Sequence, residues 1–190
     1  MKWGSFSIDI EVFLAFLKHS NVVLKQLTII DHTPWEEELL LKMLDALAHL
    51  THLELDELRI ILPFPYCKVH WLPSRMFFDY LATPNTLSGG GGLPLPRLIS
   101  FKYRGHFHNS ENDTVDVDAL EKMLLARWNA NLSAGALRLQ VFSMSIINSP
   151  ESIAELERSP VVKELRKEGM HLMFNLAKER MHRRIFDYQD

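Results

Sequence analysis

The sequence predicts an α/β fold, a short and irregular solenoid with parallel strands on a concave face and helices on the convex face. Three observations predict it. A short signature of the form apolar-x-x-apolar-x-apolar recurs four times, as Leu24, Leu27, Ile29; Leu50, Leu53, Leu55; Leu98, Phe101, Tyr103; and Leu139, Phe142, Met144. The last two positions of each copy are two apart, which puts both side chains on one face of a strand. Helical segments lie between the copies, and alternating strands and helices imply parallel strands joined by helical crossovers. The copies start 26, 48 and 41 residues apart, and only the first spacing falls within a repeat range.

The elements follow in order. Residues 8–18 read as a helix with Val12, Phe13, Phe16 and Leu17 apolar. After the first strand, Thr33-Pro34-Trp35-Glu36 marks a helix start: a capping threonine, proline at the first helical position and a glutamate that can reach back. Leu39, Leu40, Met43, Leu44 and Leu47 then fall on one helical stripe. Ser74 to Ala82 is a shorter helix stopped before Pro84. Residues 116–129 form a helix with Leu120, Met123, Leu124 and Trp128 on one face and Asp116 and Asp118 at its dipole-favoured start. Ser159-Pro160 begins a helix that runs to Glu168, Gly169 caps it, and Met170 to Phe174 is a last strand.

The spacing of 26 lies inside the leucine-rich-repeat range, and the longer two require insertions, placed near 60–96 and 106–114. The expected organisation is one leucine-rich-repeat-like domain over residues 1–175 and a tail over 176–190. A chain of 190 residues can bury roughly 70% of the surface it exposes when unfolded. Its 47% apolar and 24% charged composition is that of a globular domain. No apolar run approaches the roughly 18 residues of a membrane span, and Asp9 and Glu11 interrupt the stretch where a signal peptide would be apolar. The net charge of -3 argues against non-specific nucleic-acid binding. Cys67 is the single cysteine, which excludes an internal disulfide and fits a cytoplasmic or nuclear protein.

Three segments carry a family resemblance: Leu50-Thr51-His52-Leu53-Glu54-Leu55-Asp56, Leu95-Pro96-Arg97-Leu98-Ile99-Ser100-Phe101-Lys102-Tyr103, and the helix from Ala119 to Trp128 that ends in arginine-tryptophan. In this order, and with Gly169-Met170 following, they resemble the leucine-rich-repeat region of fungal, mushroom-type F-box proteins. The resemblance covers roughly residues 20–175. It implies the substrate-recognition part of a ubiquitin-ligase receptor. The F-box itself, a helical segment that docks on the ligase adaptor, is not visible, so adaptor binding is not expected of this chain.

The repeat divides the strand residues by face. Leu27, Ile29, Leu53, Leu55, Phe101, Tyr103, Phe142 and Met144 would point inward. Gln26, Thr28, His52, Glu54, Asp56, Ser100, Lys102, Arg104, Ser143 and Ser145 would line the open face, with Glu54 beside Lys102 and Asp56 beside Arg104. Of these, His52, Glu54, Asp56, Ser100, Lys102, Arg104 and Ser143 are the candidate partner-binding residues. The bland alternative is a solvated sheet face whose opposite charges neutralise one another.

Other chemistry is weaker. Gly89 to Gly92 precede Leu93-Pro94-Leu95-Pro96 rather than a lysine-serine helix start, so they suit a linker better than a phosphate cradle. His106 and His108, with Glu111, Asp113, Asp116 and Asp118, could hold a metal but read as a polar loop. Cys67 and His70 lack an activating context, and no G-x-S-x-G elbow exists. Glu36 to Glu38 suit an acidic first helical turn. Trp128 reads as core, whereas Trp35 and Trp71, near prolines, could be exposed anchors. Arg180, Arg183 and Arg184 sit in a tail that reads as frayed. The expectation is therefore a non-enzymatic protein-protein interaction module with an unidentified protein partner, no cofactor or metal, and no nucleic-acid or membrane role. The alternatives are a degenerate fragment without function and a small metal-using hydrolase.

Overall fold

A computed structural model describes residues 2–4, 10–20, 22–31, 37–57, 74–84, 92–106, 115–130, 135–147 and 149–176. The elements run β1 (Lys2–Gly4), α1 (Ile10–Ser20), β2 (Gln26–Asp31), α2 (Glu37–Asp45), β3 (His52–Glu57), α3 (Arg75–Ala82), β4 (Ser100–His106), α4 (Val117–Trp128), β5 (Val141–Ile147), α5 (Pro150–Arg158), α6 (Pro160–Lys167) and β6 (His171–Leu176). The six strands form one open parallel sheet in the order of the chain, β1 to β6. Crossovers between parallel strands are right-handed, so an order that never reverses keeps the connecting helices on a single face of the sheet.

Burial along the strands agrees. Leu53 and Leu55, Phe101 and Tyr103, Phe142 and Met144, and Leu172 and Phe174 are buried, whereas their alternates are exposed or half-buried, except Ser100 in β4. The inward residues stand in two columns across the sheet: Leu27, Leu53, Phe101, Phe142 and Leu172, then the half-buried Ile29 with the buried Leu55, Tyr103, Met144 and Phe174. Within this face Phe77, Phe101, Phe142 and Phe174 form an aromatic row with successive ring centroids 5.7, 5.5 and 6.1 Å apart.

Each strand from β3 to β5 is entered by the same pair of hydrogen bonds to the start of the preceding strand. The carbonyl of Lys25 accepts the N–H groups of Thr51 and His52, that of Thr51 accepts Ile99 and Ser100, and that of Ile99 accepts Gln140 and Val141. Leu50, Leu98 and Leu139, the first residues of the recurring signature, are buried just before these entry points. The sequence repeat is thus a repeat of backbone hydrogen bonding.

Helix ends follow local chemistry. Ser74 caps α3 by accepting from the Met76 and Phe77 N–H groups, and Asp116 caps α4 by accepting from Ala119. Consecutive helices are laced together by Ser74 Oγ donating to Glu37 (2.6 Å), Tyr80 donating to Asp45 (2.8 Å) and Lys122 donating to Asp79 (2.8 Å). The Lys122 hydrogen bond holds the Asp79 carboxyl below its ordinary value, and burial pushes the Tyr80 phenol well above its own.

After α6, Gly169 takes φ +102, its N–H bonds the Arg166 carbonyl and the Met170 N–H bonds the Leu165 carbonyl. This is a Schellman termination, closed by the buried pair Leu165 and Met170. Gly169→Ala is expected to destabilise the protein by about 1–2 kcal/mol, because an L-residue resists this backbone region. Urea denaturation measures it, and an unchanged midpoint would show the turn to be unstrained.

Several sequence expectations need correction. Two elements were not anticipated. β1 is three residues held by backbone pairing to β2, too short for an apolar alternation to show. The helix α5 buries only Ser152 and Leu156, so its inner stripe is half polar and offers no run of large apolar residues. The first helix runs Ile10–Ser20 rather than 8–18. Within the expected insertion over 60–96, the helix expected at Ser74 to Ala82 is α3, whose Phe77, Phe78 and Leu81 are fully buried, and Leu95 is also buried. Residues 60–73 and 85–91 lie outside the described residues. The last strand runs His171–Leu176 rather than Met170 to Phe174. The helix start at Thr33 to Glu36, Gly89 to Gly91, most of the 106–114 insertion and the tail beyond 176 lie outside the described residues.

Candidate docking face

The side of the sheet opposite the described helices carries the alternate residue of each strand, arranged in rows by the parallel register. One row is Gln26, His52, Ser100, Val141 and His171; the next is Thr28, Glu54, Lys102, Ser143 and Met173; the third is Ile30, Asp56, Arg104, Ser145 and Asn175. Neighbours in a row are about 4.8 Å apart along the hydrogen-bonding direction. Glu54 with Lys102 and Asp56 with Arg104 are therefore partners in the register, as the spacing of the signature predicts.

Charge is organised by strand. β3 presents Glu54 and Asp56, β4 presents Lys102 and Arg104, β5 presents two small hydroxyls, and β6 presents His171, Met173 and Asn175. Glu54, Lys102, His52 and His171 are exposed; Asp56, Arg104, Ser143 and Ser145 are half-buried. The His52 ring lies 2.8 Å from Thr51 Oγ1, which in turn donates to the Lys25 carbonyl just before β2. Among the described residues neither Lys102 nor Arg104 closes an ion pair.

Six of the seven candidate partner-binding residues, His52, Glu54, Asp56, Lys102, Arg104 and Ser143, thus share one accessible surface. Ser100 does not. It has the right parity but is 6% exposed, because its short side chain sits between the larger His52 and Val141 of the adjacent strands. Sequence reasoning missed the β6 contribution, although His171, Met173 and Asn175 alternate with Leu172 and Phe174 and so carried the strand signal. Met173 is 45% exposed and adds an apolar side chain to this face.

The remaining chemistry-bearing residues have structural employment or lie outside the described residues. Asp116 is a helix cap, and Glu37 accepts from Ser74. Trp128 is buried, donates to Glu168, and is covered by the Arg138 guanidinium at 5.3 Å. Arg166 donates to both Glu157 oxygens at 2.6 and 2.7 Å and also to the Leu172 carbonyl, joining α5, α6 and β6. That fork holds Glu157 below its ordinary value and raises Arg166. Cys67, His70, Trp35, Trp71, His108, Glu111, Asp113, Arg180, Arg183 and Arg184 lie outside the described residues. Among the described residues no group of three or more His, Cys, Asp or Glu converges as a metal site requires.

No helix among the described residues is long and apolar enough to cross a membrane. Comparison with family models, with curated proteins and with solved structures finds no match.

Proposed function

We propose that this chain is a non-enzymatic protein-interaction module, a short irregular leucine-rich-repeat solenoid that presents its open sheet face to a protein partner. The observation that carries the reading is the repeated unit of entry hydrogen bonds and strand. It sets one residue in two on a continuous face opposite the described helices while the others share a core. Stacked repeats of this kind make extended binding surfaces, because each unit adds a strand's width of side chains without needing a pocket. The likeness of residues 20–175 to mushroom-type F-box proteins supports the same role, that of the part that recognises the substrate of a ubiquitin ligase.

A photo-crosslinking residue tests the reading. Placed at Ser143 on the open face in the source cells, it is expected to give a discrete protein adduct. Placed at the exposed Glu155 of α5, it is expected to give none. Equal adducts at the two sites, or an adduct only at Glu155, would remove the open face as the docking surface.

A further inference from the structure

We propose that the open face takes an extended acidic segment of a partner protein, laid along β5 with two carboxylates, two residues apart, over Lys102 and Arg104. This deepens the docking reading and rests on it.

The first argument is relief. In the register, Lys102 is followed by Ser143 and Met173, and Arg104 by Ser145 and Asn175. Two serines give β5 a low floor between longer side chains on β4 and β6. The flanking strands are about 10 Å apart, room for one extended chain. The second argument is spacing. Lys102 and Arg104 are two residues apart on one strand, and alternate side chains of an extended peptide share that repeat of roughly 6.6 Å. Carboxylates at positions i and i+2 of such a peptide can meet both cations at once.

The third argument is charge. Lys102 and Arg104 are without an ion pair among the described residues, and Ser143 and Ser145 can donate hydroxyl hydrogens to the same carboxylates. Residues 61–110 carry five basic and one acidic side chain, so the cationic strand belongs to a positive stretch of an otherwise acidic chain. On the far side of β4, the exposed Glu54 repels an anionic ligand and favours the β5 side. The same carboxylate disfavours a nucleic-acid backbone, whose charge would extend over it. Met173 supplies an apolar contact for a neighbouring residue of the segment.

The test uses the full chain and a fluorescein-labelled twelve-residue peptide carrying a glutamate-x-glutamate pair, read by fluorescence anisotropy. The peptide is expected to bind about tenfold more tightly than its glutamine-x-glutamine counterpart, and more weakly as salt rises. K102E/R104E is expected to reverse the preference toward a lysine-x-lysine peptide with its melting temperature nearly unchanged, and E54Q to strengthen binding of the acidic peptide. Should the reversal variant not fold, K102Q/R104Q is expected to abolish the glutamate preference. Equal binding of the glutamate and glutamine peptides, indifference to Lys102 and Arg104, or equally tight binding of a single-stranded oligonucleotide would overturn the proposal. If the Ser143 crosslink persists when the acidic peptide fails, the occupant is wrong and the docking face stands. If the crosslink also fails, the docking reading itself falls.

Discussion

Arg127→Met is expected to lower the stability of the protein by about 3–5 kcal/mol, the range for stripping one partner from a buried charged hydrogen-bond set. Arg127 is 1% exposed. Its Nε donates to the Leu81 carbonyl at 2.8 Å, Nη1 donates to Leu95 at 3.0 Å, and Nη2 donates to Pro94. Leu81 lies in the last turn of α3, where carbonyls lack helical partners and a cation is favoured. Leu95 stands at φ +48, a left-handed conformation unusual for leucine, and its carbonyl also accepts the Leu98 N–H. One guanidinium therefore ties α4 to the end of α3 and to the turn that launches β4. Burial draws its pKa down to about 10, which still leaves it protonated at neutral pH.

Methionine would fill much of the space and leave three buried carbonyls without those donors. Arg127→Lys is expected to recover only part of the loss, since one ammonium cannot span the fork of three acceptors. Urea denaturation of both variants decides it, and a methionine variant within 1 kcal/mol of the parent would show that water replaces the guanidinium. Because the turn at Leu95 leads directly into Ser100 and Lys102, the same variant should also blur the open face at β4.

Phe142→Ala should cost a comparable amount, about 3–5 kcal/mol. Phe142 is fully buried at the middle of the aromatic row, with Phe101 at 5.5 Å and Phe174 at 6.1 Å on either side. Strands on both sides hold the gap open, so the cavity cannot collapse and the full penalty applies. Phe174→Ala is expected to cost less. Phe174 lies on the last strand, already 7% exposed, where the Arg166 guanidinium 5.6 Å above the ring can settle into the space. Comparing the two midpoints in urea tests the argument, and an equal loss would mean that the row is as rigid at its edge as at its centre.

The alternation of apolar residues was enough to locate β2 to β5 and to assign their faces, because a period of two is a local property of four to six residues. It also fixed the pairing of Glu54 with Lys102, since copies of one motif stacked in parallel must bring equivalent positions together. Capping chemistry placed α3, α4 and α6 almost to the residue, as Ser74, Asp116 and Gly169 act through neighbours in the chain. β1 and α5 escaped this reading because what holds them is a partner elsewhere: backbone pairing in one case, a half-polar packing stripe in the other.

Arg127 shows the division most sharply. It lies seven residues after Leu120, in line with Leu120, Met123 and Leu124, so the helical stripe itself pointed it inward. Nothing local could say that three carbonyls from Leu81, Pro94 and Leu95 would be waiting there, because they come from segments 32 to 46 residues away. Ser100 is the converse, given the right face by its parity and then shaded by His52 and Val141 on adjoining strands. By itself the sequence determined the parallel repeat and which side chains leave its core, for those follow from period and spacing. Only the tertiary structure decided which of them reach solvent and which buried polar group finds partners, because exposure and satisfaction depend on atoms brought together from distant parts of the chain.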